Sequence, residues 1–223
     1  MGVALVALTK PAPAGADVAE LLHTGPAESQ QYALSLGHFL DLNARALALF
    51  RRPLLLFAGA LFFGGALNWL FRRRGQSARA NWALAVMSAV LLTAVHQGFV
   101  TFSPVLTSKP LAEAILRVHQ PGDTIVIHGQ YEEGSTLNFY TGQQVRILNG
   151  RESDLWHGSF FPDAPQIFDD DTSFRRLWMG PQRVFVWMEQ GDEDKVFQEI
   201  DRSTVYALAR SGGKIVLTNR PIN

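Results

Sequence analysis

The sequence predicts an α/β chain in which an N-terminal transmembrane helical hairpin with juxtamembrane helices precedes a small extracytoplasmic α/β domain. That domain is expected to contain a mostly parallel sheet and a terminal β-hairpin. Two long stretches without charged residues, followed by short apolar runs that alternate with helical patterns, carry this prediction. The expected boundaries are a juxtamembrane helical segment at 1–50, the two membrane helices with their connecting loop at 51–108, and the α/β domain at 109–223.

Composition excludes several classes of protein. Of the 223 residues, 47% are hydrophobic and only 18% are charged, against roughly 25% charged in an average soluble chain. The formal net charge is zero, which argues against a strongly basic nucleic-acid binder and an acidic disordered tail. The chain has no cysteine, so disulfides, thiolate zinc sites, iron–sulfur clusters and cysteine nucleophiles are excluded. The neutral total hides a split, since basic residues are in excess up to Val100 and acidic residues from Thr101 onward.

Two segments have the length and composition of membrane spans. Pro53 to Phe71 is uncharged and has a single polar side chain, Asn68. A helix of that length covers about 28 Å, close to the thickness of the hydrocarbon core. Trp82 to Phe102 is the strongly apolar part of a second uncharged stretch. A buried core helix of a soluble protein is the alternative, but such helices rarely run this far without a charge, so the bilayer is the predicted partner.

The loop between the spans predicts their orientation. It contains four arginines and no acidic residue, which favours the cytoplasmic side and places both long flanks outside. The basic residues at the opposite ends of the hairpin (Arg45, Arg51, Arg52 and Lys109) equal them in number, but the loop arginines are denser and serve both helices. We interpret the loop arginines as membrane anchors on anionic headgroups rather than catalytic groups. They are Arg72, Arg73, Arg74 and Arg79.

Glycines interrupt the first span at Gly59, Gly64 and Gly65. Small residues let another helix approach closely, so this hairpin is expected to pack on further transmembrane helices or on a second copy of itself. Met1 to Leu8 is apolar but has no basic region before it, which makes it a poor signal peptide. It looks more like the end of a longer span, which suggests a fragment of a larger membrane protein.

Residues 17–50 have apolar side chains at helical spacing, broken at Gly25-Pro26, and predict amphipathic helices along the membrane surface. His38 and Asp41 share one helical face there. A surface hydrogen-bonded pair is favoured over a metal site or an acid–base pair at that position.

The first part of the α/β domain contains two predicted strands. Apolar residues from Lys109 to His119 form a helical stripe, and Pro121-Gly122-Asp123 is a turn. Thr124 to His128 is a continuous apolar run, typical of a strand buried on both faces. Gly134 to Tyr140 is a predicted helix with Gly142 as its C-cap, and Val145 to Leu148 is the second strand. A short helix or turn from Ser153 to Trp156 and a loop at 159–168 follow.

The second part completes the sheet. Thr172 to Met179 is a predicted helix that stops at Gly180-Pro181, and Arg183 to Met188 is a third buried strand. Asp192 to Ile200 is a predicted helix whose acidic first turn suits the helix dipole. Thr204 to Ala209 and Lys214 to Thr218 form a hairpin around Gly212-Gly213. Alternation of strands and helices at this spacing indicates a parallel sheet with an antiparallel edge.

Few residues in the sequence indicate chemistry. There is no phosphate-binding loop, dinucleotide fingerprint, nucleophile elbow or zinc-protease motif, and the histidines are scattered. The run Asp169-Asp170-Asp171 resembles a metal cluster, but stabilisation of the following helix N-terminus or a solvated loop is favoured. Glu132-Glu133 is interpreted as a loop face because adjacent side chains usually diverge. No catalytic residue, metal site or cofactor is therefore predicted.

Ligands of parallel sheets bind outside the carboxyl ends of the strands. We therefore expect ligand-facing loops after the first two strands, with Gly129 and Gly150 favoured as plain turn residues. The candidate ligand-facing residues are Gln130, Tyr131, Asn149 and Arg151.

The layout resembles the C-terminal end of bacterial membrane glycosyltransferases of the GT-C class. The similar groups are the dolichyl-phosphate-mannose protein mannosyltransferase-like proteins and the lipid A aminoarabinose transferases. The resembling residues in this sequence are Tyr32–Phe39, Ser108–Ala112, Tyr131, Phe139–Gly142, Val145–Asn149, Asp154–Trp156 and Asn219–Pro221.

This resemblance implies a multi-pass protein of the bacterial inner membrane with its C-terminal domain outside the cytoplasm. It also implies a polyprenyl-phosphate-linked sugar donor, an acceptor on the outer face, and further transmembrane helices as partners. In these families the catalytic carboxylate lies in the first extracytoplasmic loop, so no catalytic position is carried over to this chain. No nucleic-acid partner is expected.

Two functions remain open. In the first, the chain is the scaffold and periplasmic cap of a longer glycosyltransferase and is inactive by itself. In the second, it is a stand-alone two-span membrane protein whose extracytoplasmic domain is a binding or assembly module.

Overall fold

The structure is a computed structural model that describes residues 48–222. The described chain divides into two compact units, residues 48–103 and residues 104–222. The predicted amphipathic helices before Phe50 and the His38–Asp41 pair lie outside the described residues, apart from 48–50.

Two long antiparallel helices form the first unit. Helix α1 is Arg51–Arg73 and helix α2 is Ser77–Leu106, whose last three residues belong to the second unit. By length and composition alone, both are long and apolar enough to cross a membrane. A Cβ added at Gly64 would lie 2.6 Å from Met87 Cγ, so this glycine allows α1 and α2 to approach closely. The predicted packing on further helices or on a second copy stays a prediction. Asn68, the polar residue of the first span, donates from Nδ2 to the Ala80 carbonyl at 2.9 Å.

The second unit alternates strands and helices. Each strand in the parallel part is followed by a chain segment that crosses over one face of the sheet. In chain order the elements are α3 Lys109–Val118, β1 Thr124–His128, α4 Tyr131–Thr141, β2 Val145–Leu148, α5 Ser153–Gly158, β3 Phe168–Asp169, α6 Asp171–Trp178, β4 Val184–Glu189, α7 Glu193–Val196, a 3₁₀ turn Arg202–Thr204, β5 Tyr206–Ser211 and β6 Lys214–Thr218.

The six strands form one sheet in the order β3-β2-β1-β4-β6-β5. Strands β1 to β4 are parallel to one another, and in β1 Ile125 lies opposite Val145 of β2 on one side and Phe185 of β4 on the other. Strand β6 runs antiparallel to β4 and β5, and the β5–β6 turn is the predicted Gly212-Gly213, both at positive φ. The predicted parallel sheet with an antiparallel edge is confirmed. Strand β3 was not predicted, because two residues are too short to form an apolar run.

Buried side chains cover both faces of the sheet, which explains why its central strands are apolar without alternation. On one face, Ile127 and Phe185 pack with Leu111 and Ile115 of α3 and Leu137 of α4. The residues of the opposite core cluster include Val126 and Val186 of the sheet, Phe174 and Trp178 of α6, and Val196, Phe197 and Ile200 around α7. The unit is therefore a three-layer α/β structure with two cores.

Two helices differ from their predicted bounds by three residues or more at one end. Helix α4 begins at Tyr131, three residues earlier than expected, and ends as predicted at Gly142 with φ +62°. Helix α7 covers only Glu193–Val196, and the predicted continuation to Ile200 is wrong. There the backbone changes to a tighter turn, with Ile200 N–H donating to the Phe197 carbonyl at 3.3 Å, while Phe197 and Ile200 both remain in the core.

Hydrogen bonds from buried polar side chains connect the sheet to neighbouring segments. Asn219 accepts from the Val184 N–H at 2.9 Å and donates to the Trp178 and Gln182 carbonyls. Trp187 in β4 donates to the Ser108 hydroxyl at 3.1 Å, which fixes the start of α3 against the middle of the sheet. These bonds satisfy groups that would otherwise be costly to bury.

Candidate functional site

The order of the strands places a topological switch point at the carboxyl ends of β1 and β4, and we call the space outside these two strand ends the crevice. From β1 the chain goes to β2 and β3 on one side, and then crosses to β4 on the other side. The connections therefore leave in opposite directions from the β1–β4 pair. In open α/β sheets this topological switch point is where ligands bind. We call the residues around it, His128, Glu133, Glu189, Asp192 and Lys195, the switch-point cluster.

His128 and Asp192 join the two sides of the crevice. His128 is the last residue of β1, and Asp192 follows β4 immediately before α7. The His128 Nδ1 and Asp192 Oδ2 atoms are 3.6 Å apart, and both side chains are largely buried. Asp192 also accepts a charge-assisted hydrogen bond from Lys195 Nζ at 2.6 Å.

Burial favours the neutral form of His128. Desolvation lowers the pKa of the imidazole below its ordinary value of 6.5. The negative charges of Asp192 and Asp171 oppose this effect, and the positive charge of Lys195 adds to it. A neutral imidazole beside a carboxylate can both donate and accept a hydrogen bond, which suits a ligand that carries hydroxyl groups.

Glu133 is the second unusual titratable group of the cluster. It lies in the first turn of α4, and its Oε2 would be 3.7 Å from a Cβ placed at Gly129. Burial raises the pKa of Glu133 to about 7, helped by the negative charges of Glu189, Asp192 and Glu132 and opposed by Lys214. At neutral pH this carboxyl exists in both protonation states, so it can give or take a proton.

Two glycines shape the loops beside the crevice. Gly129 has φ +82°, which places the backbone after β1 in the left-handed region. A Cβ at Gly150 would lie only 1.8 Å from the Gly129 carbonyl oxygen. Gly150 therefore does more than turn the chain, because it allows the loops after β1 and β2 to touch.

The residues predicted to face a ligand lie around the rim and not in the cluster. Gln130 is exposed at the N-terminus of α4, while the Tyr131 hydroxyl accepts from Asn138 Nδ2 at 3.1 Å. Asn149 has φ +55° and donates to Asp171 Oδ1 at 2.7 Å. Arg151 donates to the hydroxyl and carbonyl oxygens of Ser159. Their role in binding stays a prediction.

Sequence reasoning missed the switch-point cluster itself. The sequence pattern points to the residues that follow the first two strands, and not to Glu189–Asp192 at the end of β4. In the sequence His128 ends an apolar run, and Glu133 belongs to a pair of adjacent carboxylates typical of a loop face. The available signal was the rule that ligands gather at the carboxyl edge, applied to every strand that ends there.

The aspartate run at 169–171 is structural. The Asp170 carboxylate accepts from the Ser173 N–H at 2.7 Å, and Ser173 in turn accepts from the Asp170 N–H, forming a capping box at the start of α6. Asp169 forms a two-pronged pair with the Arg146 guanidinium. Across residues 48–222, the structure places no group of three or more His, Cys, Asp or Glu side chains where a metal ion could be held.

The arginine-rich turn lies between α1 and α2. The Arg73 guanidinium stacks 4.2 Å above the Trp69 ring, Arg72 donates to Asn81, and Arg79 donates to Gln76. Arg74 is the C-cap residue of α1. Stacking of arginine on tryptophan is compatible with a membrane interface. The proposed anchoring role of these four arginines stays a prediction.

Comparison with known proteins identifies two solved structures of similar fold. No protein-family model and no curated protein matches the sequence. The chain is similar to the crystal structure of ArnT from Cupriavidus metallidurans bound to undecaprenyl phosphate, with 18% sequence identity and a TM-score of 0.61. It is also similar to ArnT from the same organism in the apo state, with 19% identity and a TM-score of 0.61.

Both similarities cover 98% of this chain and 36% of the ArnT chain, so this chain spans about a third of the length of its structural neighbours. ArnT is an aminoarabinose transferase of the GT-C class. The expected resemblance is thus confirmed at the level of fold, and it is consistent with the C-terminal part of such an enzyme.

Proposed function

We propose that this chain is the C-terminal portion of an integral-membrane glycosyltransferase that uses a polyprenyl-phosphate-linked sugar. The observation that carries the proposal is the likeness of nearly the whole chain to ArnT, which was crystallised with undecaprenyl phosphate. In this proposal α1 and α2 are scaffold helices, and the α/β unit is an extracytoplasmic cap over the cavity where the sugar is transferred. The catalytic carboxylate is supplied by a part of the enzyme outside this chain.

The surface of the first unit supports a scaffold role. A groove of about 580 Å³ runs along the α1–α2 pair and is lined almost entirely by apolar side chains, and its lining includes Gly59 and Ala60. Small residues in such a groove allow a further transmembrane helix to pack closely. Further helices of a longer chain are therefore proposed as partners of α1 and α2.

The switch-point cluster supports a ligand-binding role for the cap. Its neutral imidazole, its partly protonated Glu133 and the exposed amides of Gln130 and Asn149 offer both donors and acceptors. Sugar hydroxyls need such mixed groups, because each hydroxyl both donates and accepts. We assign these residues to holding the sugar or acceptor, with Tyr131 and Arg151 on the rim.

One observation favours the alternative hypothesis, that the chain is a stand-alone two-span membrane protein. The switch-point cluster is built from residues 128–195 alone, so the α/β unit needs no other chain to form it. A two-span protein with an extracytoplasmic binding module would use the same crevice. The two proposals predict different coding sequences upstream of Met1. A glycosyltransferase requires many further membrane spans in that reading frame, and a stand-alone module does not.

A photoreactive polyprenyl-phosphate probe tests the glycosyltransferase proposal. Membranes that contain the product of the complete reading frame are expected to crosslink the probe to this segment, and undecaprenyl phosphate should compete. The corresponding polyprenol without phosphate is the matched control and should compete weakly. Absence of specific crosslinking, together with a stop codon just before Met1, would contradict the proposal.

Orientation is tested with single cysteines, since the chain has none. Ser77, in the exposed start of α2, is changed to cysteine, and Gln143, exposed before β2, serves as the matched control. An impermeant maleimide should label the Gln143→Cys variant in intact cells and the Ser77→Cys variant only after permeabilisation. The reverse pattern would place the α/β unit in the cytoplasm and contradict its role as an outer cap.

A further inference from the structure

Gln97 carries an amide within the strongly apolar part of α2, Trp82–Phe102, which contains no charged residue. At 1.5 Å per residue, Gln97 lies about 22 Å from Trp82 along the helix axis. If α2 spans the bilayer, this position is still inside a hydrocarbon core roughly 30 Å thick. No water is available there to bond to the amide, so an unpaired amide is costly at that depth.

Three other polar side chains of the hairpin are paired within it. Asn68 of α1 donates to a main-chain carbonyl of α2 at 2.9 Å. Thr93 and Thr101 each donate from Oγ1 to the main-chain carbonyl four residues earlier, also at 2.9 Å. The side-chain amide of Gln97 offers two N–H donors and an acceptor oxygen, and it has no hydrogen-bond partner among residues 48–222. The described hairpin therefore leaves this amide to a group outside it.

Gln97 lies on the side of α2 that borders the groove. Val86 and Val90 line the groove, and Gln97 follows them by eleven and seven residues, spacings that return to the same face of an α-helix. His96, the preceding residue, is exposed and lies about 100° around the helix from Gln97. The amide of Gln97 thus continues the apolar stripe of the groove, and the imidazole of His96 does not.

The α1 side of the groove reaches the level of Gln97 as well. Gly64 of α1 lies against Met87 of α2, and Gln97 is about 15 Å beyond Met87 towards the end of α2. Because the two helices are antiparallel, the same distance from Gly64 towards the start of α1 reaches the turn that contains Leu55. Leu55 lines the groove and is 50% exposed. A helix that fills the groove therefore passes beside Gln97.

We propose that the helix which fills this groove carries a hydroxyl, amide or carboxyl side chain opposite Gln97, and that the hydrogen bond between them sets the register of helix packing. The inference rests on the proposed function, in which that helix belongs to the part of the longer enzyme outside this chain. Length allows this, because the chain matches only 36% of the ArnT chain.

The composition of the groove explains why one polar pair decides the register. Arg79 is the only charged residue of its lining, and the rest of the lining is apolar or glycine. Apolar contacts alone would tolerate a partner helix shifted by a turn along the groove. A shifted helix would leave both Gln97 and its own polar side chain unpaired in hydrocarbon, so a single polar pair in an apolar seam selects one arrangement.

A photoreactive side chain tests which molecule fills the groove. Benzoylphenylalanine replaces Phe63, which lines the groove, in the product of the complete reading frame. Membranes are irradiated, and the adduct is mapped by mass spectrometry. We expect it on a transmembrane segment encoded upstream of Met1. Phe99 is the matched control, because it is 54% exposed and lies about 200° around α2 from Gln97. Benzoylphenylalanine at position 99 should not give the same adduct.

The hydrogen bond is tested with Gln97→Met, which keeps the length of the side chain and removes the amide. Reversible unfolding of the complete product in mixed detergent micelles should give a folding equilibrium constant roughly three- to thirty-fold lower than that of the native protein. His96→Leu is the matched control, because it removes a polar side chain at the same depth from another face. It should leave the constant unchanged or raise it.

A double-mutant cycle identifies the partner group. The polar residue of the captured segment that lies nearest the level of Gln97 is changed to an apolar one of similar size. In the native background this change should lower the folding constant about as much as Gln97→Met does. In the Gln97→Met background it should cause little further loss, because the hydrogen bond is already absent. Additive losses would overturn the proposed pair.

The outcomes separate this inference from the proposed function. If the reading frame upstream of Met1 encodes no further span, the proposed function itself fails. If such spans exist, adducts of position 63 on a second copy, on residues 1–47 or on lipid alone would overturn only the partner assigned to the groove. A Gln97→Met variant as stable as the native protein, or an equal loss in His96→Leu, would overturn the role of Gln97.

Discussion

The two compact units carry their apolar side chains in opposite places. In the helical hairpin, large apolar residues such as Phe62 and Leu92 point outward and are each 71% exposed. In the α/β unit, residues of the same kind, such as Phe185 and Trp187, are completely buried. Both patterns follow the rule that apolar surface leaves water. By length and composition the two hairpin helices are suited to a membrane, and their outward side chains need lipid or further protein around them. The comparison teaches that the α/β unit buries its apolar side chains by itself, whereas the hairpin leaves them to be covered by its surroundings.

The largest expected effect separates buried from outward-facing phenylalanines. Phe185→Ala removes a ring from the centre of β4 between packed side chains, and we expect it to lower the free energy of unfolding of the α/β unit by about 3–5 kcal/mol. Denaturant unfolding of the full chain in mild detergent, followed by near-ultraviolet circular dichroism, measures the loss. Phe62→Ala on α1 is the matched control and should change that transition little. Equal losses would mean that the hairpin face is packed like a core.

A charge placed on each exposed surface gives the next largest effect. Leu92→Lys puts a cation near the middle of α2, and it should raise the apparent free energy of membrane insertion by about 2.5–3.5 kcal/mol. The fraction of α2 integrated in a translocon insertion assay measures this cost. Phe139→Lys on α4, which replaces a side chain that is 79% exposed, is the control and should change stability by roughly 0.5 kcal/mol or less. Normal insertion of the Leu92→Lys variant would remove the lipid-facing interpretation of the hairpin.

The fold was largely predictable because its signals are local. The buried strands at 124–128, 145–148 and 214–218 have the predicted bounds, since each is a continuous apolar run closed by turn residues. Gly142 and the Gly212-Gly213 pair terminate their elements as expected because their positive φ values require glycine. The shortened α7 escaped prediction because the packing of Phe197 and Ile200, and not helix propensity, decides the backbone there.

The site was less predictable because it depends on distant contacts. His128, Glu133 and Asp192 belong to three different elements, and nothing in the spacing of the sequence brings them together. Only the order of the strands does so, by placing β4 beside β1.

The smallest effect tests whether the crevice of the α/β unit contains a partly buried carboxyl that keeps its proton near neutral pH. Glu133 has a pKa of about 7 in the folded chain against an ordinary value of 4.5, with burial as the main cause. Between these values the unfolded chain releases a proton that the folded chain keeps, so stability falls as pH rises through this window. Relative to the Glu133→Gln variant, we expect the free energy of unfolding of the native chain to drop by about 1 kcal/mol as the pH rises through this window. The drop stays this small because solvent screens a half-exposed carboxyl.

Denaturant unfolding of the native chain and the Glu133→Gln variant at pH 4.5 and pH 7.5 measures this change. The free energies of the two proteins are subtracted at each pH, which removes most of the opposite contribution of His128. The pKa of that imidazole is lowered by burial, so its own effect is a loss of stability as pH falls below 6.5 in both proteins. Glu113→Gln, at an exposed carboxyl of α3, is the matched control for the loss of one carboxyl. A constant difference for Glu133→Gln would mean that this carboxyl titrates as it does in water, and the crevice would then lose its one group suited to proton exchange at neutral pH.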